Sequence, residues 1–194
     1  IPLGERLKEN GISYEDIDVL IITHFHFDHV GGLKYFSNTK AGKNIYVSEP
    51  EVSELFETTQ NHPEKLGGAY VPAQYFNVPG LTFHMVEGET QLAEDFKLFL
   101  QKCHTKGLIG YELQLEDGQN IIFCGDTIYT EQAYKESLPP GGSINKSPEE
   151  FYENLAFIRE MQKKEKAIIF FGHDYEQAKD WEEKGWISSA SQIK

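Results

Sequence analysis

Residues 23–32 read Thr-His-Phe-His-Phe-Asp-His-Val-Gly-Gly, which places His24, His26, Asp28 and His29 within six positions. Imidazole and carboxylate donors crowded in this way suit a divalent cation of hard to borderline character. Alternate side chains of an extended chain share a face. His24, His26 and, if the extension persists, Asp28 would then point one way, with His29 following at the turn into a helix. Further donors sit where other strands are expected to end. His104 follows a strand over 96–102, Asp126 closes the second strand of a hairpin, and His173 ends a strand over 167–171. Seven donors exceed the four that one tetrahedral ion uses, so two ions are expected. The two other histidines, His62 and His84, read as surface or core residues. Cys103 and Cys124 adjoin proposed donors but read as buried thiols, because the histidine and carboxylate set is complete without them. Two cysteines are also too few for a disulfide scaffold.

Short apolar and alternating runs supply the elements that must position these donors. Val19-Leu20-Ile21-Ile22 is strand-sized and continuously apolar, as a fully buried strand would be. A helix is expected around Leu33 to Ser37, a strand over 44–48 and a helical stretch over 50–56. Turn formers dominate 60–80, which reads as an irregular excursion. Loose alternation over 81–86 and 96–102 predicts half-buried strands. Residues 111–115 and 120–123, joined through Glu116-Asp117-Gly118, read as a hairpin with an Asp-Gly turn. Ser147-Pro148-Glu149-Glu150 carries a capping serine, a proline at the first helical position and a glutamate three residues on. Phe151, Leu155 and Ile158 then share one helix face. A polar helix is expected over 175–184.

The 194 residues suit one domain with a real core, and no apolar run is long enough to span a bilayer. Acidic residues outnumber basic ones 31 to 18, for a formal charge of −13. With no basic face to displace counterions, a nucleic-acid backbone is excluded as the main partner. A small-molecule ester or lactone is expected instead, and a homodimer is compatible with the sequence. The chain opens at Ile1 with no signal or transit sequence in view, and sparse cysteine fits the cytoplasm.

The His-x-His-x-Asp-His run, with His104, Asp126 and His173 at later strand ends, resembles the metallo-β-lactamase superfamily over nearly the whole chain. The resemblance implies a four-layer αββα sandwich. It also implies one metal on His24, His26 and His104, a second on Asp28, His29 and His173, and Asp126 bridging them together with a water or hydroxide. Zinc is expected; iron and manganese suit the same donors. Within the superfamily the sequence resembles the N-acyl-homoserine lactonase group. The resemblance rests on His24-Phe25-His26-Phe27-Asp28-His29, on Tyr129 three residues after Asp126, and on Ile168-Ile169-Phe170-Phe171-Gly172-His173-Asp174 with Glu176 and Gln177 beyond. It implies lactone opening by a metal-bridging hydroxide, with Tyr129 steadying the oxyanion and Asp28 passing a proton to the leaving alkoxide. Phe25 and Phe27 alternate with the donors and serve either the core or the substrate pocket.

The chain departs from that group in two places. The group carries Pro-Gly-His-x-Pro-Gly-His where this chain has Lys102-Cys103-His104-Thr105-Lys106-Gly107-Leu108. Both prolines and the second histidine are gone. Only 23 residues precede the first motif, so one sheet is expected to lack N-terminal strands. Competing expectations are a thioester hydrolase of the glyoxalase II type, an iron-dependent redox member of the superfamily, and a metal-binding remnant without activity.

Overall fold

The computed structural model describes residues 3–66, 69–141 and 147–187. They fall into two compact units, one running to Met85 and resuming at Trp181, the other spanning Val86–Asp180.

The first unit is built on a three-stranded sheet of order β1-β2-β3, comprising Leu20–Ile21, Ile45–Ser48 and Phe83–Val86. β1 and β2 run parallel, with Leu20 opposite Ile45 and Ile21 opposite Tyr46. Ile45 and Val47, on one face of β2, have no exposed surface, whereas Leu20 and Ile21 of β1 are half-buried, not fully buried as expected. Ile45 and Val47 join Ile22, Phe25, Val30, Leu33, Leu55, Tyr70 and Tyr75 in one core. Helix α1 spans Leu3–Glu9, the single-turn α2 spans Phe27–Val30, and α3 spans Glu49–Asn61. The helix expected near Leu33 is a 3-10 turn over Leu33–Phe36.

The second unit carries a five-stranded sheet of order β4-β5-β6-β7-β8. Its strands are Thr90–Ala93, Phe96–Gln101, Leu108–Gln114, Asn120–Phe123 and Ile168–Phe170. The expected hairpin is β6–β7, antiparallel from Tyr111 opposite Phe123 to Gln114 opposite Asn120. Gly118 closes it with a φ of +87°, a conformation that costs glycine little, and Asp117 accepts the Gln119 N–H at 2.9 Å. β8 pairs in parallel with β7, and α4 (Glu131–Glu136) and α5 (Pro148–Glu165) intervene in sequence. The Ser147 hydroxyl caps α5 by accepting the Glu150 N–H. The predicted face of α5 is buried through Phe151, Leu155 and Ile158, extended by Asn154 and Met161. It packs with Phe99, Ile122, Ile128, Ile169 and Phe171. Helix α6 follows over Tyr175–Glu183. Among the described residues, no helix is long and apolar enough to cross a membrane.

Candidate metal centre

In the first unit the donors leave the end of β1. The chain stays extended through His26, at φ −66° and ψ 150°, and then turns directly into α2. The shared extended face therefore ends at His26, and Asp28 stands on the helix with His29 instead of continuing the strand. This turn brings the imidazoles together: the His24 ring lies 4.6 Å from that of His26 and 4.0 Å from that of His29. Ligand nitrogens of His24 and His26, and of His24 and His29, lie within 4.8 Å of each other. The Thr23 hydroxyl sits 3.1 Å from His24 Nδ1 and 3.4 Å from His29 Nδ1. A partner on Nδ1 orients the ring and leaves Nε2 to coordinate, a role for Thr23 that no spacing signalled. Asp28 Oδ2 is 3.7 Å from His29 Nε2. His24 is fully buried, whereas Asp28 and His29 are open to solvent. Phe25 belongs to the core beside Tyr75, and Phe27 is exposed.

In the second unit, three strand ends deliver His104, Asp126 and His173. Gly125, at φ +53°, turns the chain from β7 into a 3-10 turn that begins the Asp126 segment. Each carboxylate oxygen of Asp126 faces a different imidazole. Oδ2 lies 3.6 Å from His104 Nε2, and Oδ1 lies 3.4 Å from His173 Nε2. His104 and Asp126 are buried. The Tyr129 ring stacks on His173 at 4.2 Å, and the His173 N–H donates to the Tyr129 carbonyl at 3.2 Å.

The backbone around these donors is held by side chains from α5, α6 and β5. Asn154 of α5 both donates to the Lys102 carbonyl and accepts the Lys102 N–H, fixing the chain two residues before His104. The Gln101 amide donates to the Cys124 carbonyl at 2.8 Å, two residues before Asp126. Asp174 accepts the N–H groups of Glu131 and Gln177 at 2.8 and 2.9 Å. Gln177 in turn accepts the Phe171 N–H and donates to the Ile169 carbonyl, each at 2.9 Å. His173 is thus clamped on both sides in sequence.

Both cysteines are buried and no disulfide joins them. Burial, followed by the Glu150 charge, pushes the Cys103 thiol up to about 11; burial alone pushes Cys124 well above the usual thiol range. His62 is half-buried, 3.1 Å from Glu64, and His84 is exposed against Tyr46. Neither sits with the donors of its unit. Leu108, which replaces the lactonase group's second histidine, is fully buried at the start of β6 opposite Gln101.

These donors fit divalent ions. Three imidazoles converge in the first unit, and in the second a buried carboxylate spreads its oxygens between two imidazoles. The buried hydroxyls of Thr105 and Thr127, next to His104 and Asp126 in sequence, make no hydrogen bond among the described residues. Buried polar atoms of that kind call for an ion or water.

Known proteins resemble this chain in sequence and fold. The N-acyl homoserine lactonase AiiA of Bacillus thuringiensis subsp. kurstaki is 28% identical over 173 residues, covering 89% of this chain and 62% of the relative. AiiB of Agrobacterium fabrum is 24% identical over 183 residues, covering 90% and 63%. The solved structure of an N-acyl homoserine lactone hydrolase, with the product N-hexanoyl-L-homoserine at its catalytic metal center, superposes with a TM-score of 0.76 at 27% identity. It covers 92% of this chain and 64% of that one. The chain therefore spans less than two thirds of the length of these relatives. The fold is the expected α/β metallo-β-lactamase class, with helices and two sheets. The sequence profile of the metallo-β-lactamase superfamily matches residues 2–173, and the chain belongs to that superfamily.

Proposed function

We propose that this chain is the catalytic domain of a dinuclear metal-dependent hydrolase that opens lactone rings, with N-acyl-homoserine lactones as the substrate class. The observation that carries the reading is Asp126, whose two oxygens face the Nε2 atoms of His104 and His173 at 3.6 and 3.4 Å. A carboxylate so disposed suits a bridge between two ions. In this reading His24, His26 and His104 hold one ion, Asp28, His29 and His173 hold the other, and Asp126 serves both. Imidazole and carboxylate donors favour zinc. The names of AiiA and AiiB, and the product held at the metal center of the solved relative, support the substrate class.

Two bound ions supply hydroxide at neutral pH and an electrophile for the carbonyl. The chain's own residues do the rest. Tyr129, stacked on His173, keeps its phenol beside a ligand and donates to the developing oxyanion. Asp28, open to solvent beside His29, would relay to the leaving alkoxide the proton carried by the attacking hydroxide. Leu108 bears on core packing, since its side chain is wholly buried, and the donor set is complete without the second histidine.

The test compares turnover of an N-acyl-homoserine lactone and of a glutathione thioester, with metal content measured in each preparation. Tyr129→Phe should retain both ions and lower lactone turnover by about 10²–10³-fold, the range for losing one oxyanion donor. Faster thioester cleavage, or an unchanged lactone rate in the variant, refutes the reading.

A further inference from the structure

Ser48-Glu49-Pro50-Glu51 opens α3 with a serine cap and a glutamate three residues on. In that pattern the glutamate ordinarily turns back to the N–H of the cap. The Ser48 hydroxyl accepts the Glu51 N–H at 3.2 Å. The Glu51 carboxylate also reaches the strand end: its Oε1 accepts the N–H of Phe25 at 2.8 Å. Phe25 is the residue between His24 and His26. Its ring is buried against Tyr75 and Phe83, so this peptide is gripped through its side chain and its amide together.

Glu51 has no exposed surface, and Glu54, one turn further along the same helix, has only 5%. Tyr70 completes this wall, its ring meeting the His26 ring edge-on at 5.1 Å. A buried carboxylate carries a large desolvation cost, which its hydrogen bonds and the start of α3 reduce. A cationic centre on the neighbouring histidines would reduce it further. Partners behind metal-binding histidines orient them and strengthen their hold in this way.

We propose that Glu51 is a positioning residue for the metal centre: its oxygen sets the peptide between His24 and His26, and its charge tightens their grip on divalent ions. The proposal rests on the reading above that His24 and His26 are ligands. Zinc dissociation constants, measured by competition with a chromophoric chelator in wild type, Glu51→Gln and Glu51→Met, test it. Loss of such a partner weakens metal binding about 10–100-fold. Glu51→Gln keeps an acceptor and loses the charge, so it should fall near the lower figure; Glu51→Met loses both and should fall near the upper one. Cobalt(II) absorption should keep its shape in Glu51→Gln and change in Glu51→Met. The metal-free melting temperature of Glu51→Gln should match or exceed that of wild type. A purely structural glutamate predicts lower metal-free stability with unchanged zinc affinity, and unchanged affinity in Glu51→Gln overturns the proposal even if Glu51→Met does not fold. Wild type that binds two zinc ions without opening lactones refutes only the proposed function, and the variants still decide Glu51. Wild type that binds no zinc overturns both.

Discussion

Replacing Cys103 with glycine should cost no more than replacing it with alanine, although the side chain is buried. Cys103 has a φ of +102° and only 1% of its surface exposed. Backbone of that kind costs a residue with a Cβ about 1–3 kcal/mol. Cys124 is the natural control, being fully buried at an ordinary φ of −86°. At Cys124, glycine should be less stable than alanine by about 1.5 kcal/mol. That figure combines about 0.8 kcal/mol for one buried methyl-sized group with about 0.5–1 kcal/mol for the freedom glycine gains on unfolding. At Cys103 the same penalty meets the release of strain, so Cys103→Gly should equal Cys103→Ala or exceed it by up to about 1.5 kcal/mol. Urea unfolding of the four variants in a chelator isolates the fold from metal binding. If Cys103→Gly falls below Cys103→Ala by as much as Cys124→Gly falls below Cys124→Ala, the strain argument is wrong.

Zinc titration of the metal-free protein should saturate at two ions per chain. His173→Ala should leave one ion, and Asp126→Ala should weaken both sites; saturation of wild type at one ion contradicts the shared carboxylate. Asp174→Ala should lower stability by about 1 kcal/mol, because the N–H groups of exposed Glu131 and half-buried Gln177 lose a charged acceptor. It should also weaken metal binding more than Asp180→Ala, a change within α6 itself, and equal effects of the two would show that the clamp does not reach His173.

The donors were legible in the sequence because their residue types are uncommon in such density and because strand ends can be read from apolar runs. The turn after His26 was not legible. Four residues carry no helical period, and the geometry there depends on the Phe27 N–H reaching the carbonyl of Ala69, far along the chain. Strand β4 went unread for a different reason. Thr90–Ala93 alternates between half-buried and exposed positions and pairs with β5 through an irregular register, so no apolar run marks it. Thr23, Asn154 and Glu51 act through contacts with neighbouring rings or distant backbone, and nothing in local spacing distinguishes them from polar residues on a surface. Ser48 and Glu51 show the limit most clearly: their spacing correctly marks a helix start, while the carboxylate's destination depends on a strand end 26 residues earlier.

The segment around His104 keeps the proposed ligand while its flanking sequence departs from the lactonase pattern. Both prolines of the lactonase pattern are absent, cysteine stands where glycine is usual, and leucine replaces the second histidine. The residues that stand there have structural contacts of their own. Cys103 holds the left-handed backbone that glycine would adopt freely. Asn154 fixes Lys102 through two hydrogen bonds, a constraint on chain direction that does not need proline. Leu108 fills its buried position opposite Gln101, and Gln101 in turn anchors the Cys124 carbonyl on the approach to Asp126. His104 and Asp126 are therefore placed by a shared frame of β5, β6 and α5, which is why they still face each other at 3.6 Å. Substitutions in that frame, such as Asn154→Ala, should disturb the pair more than exchanges at Thr105 or Lys106.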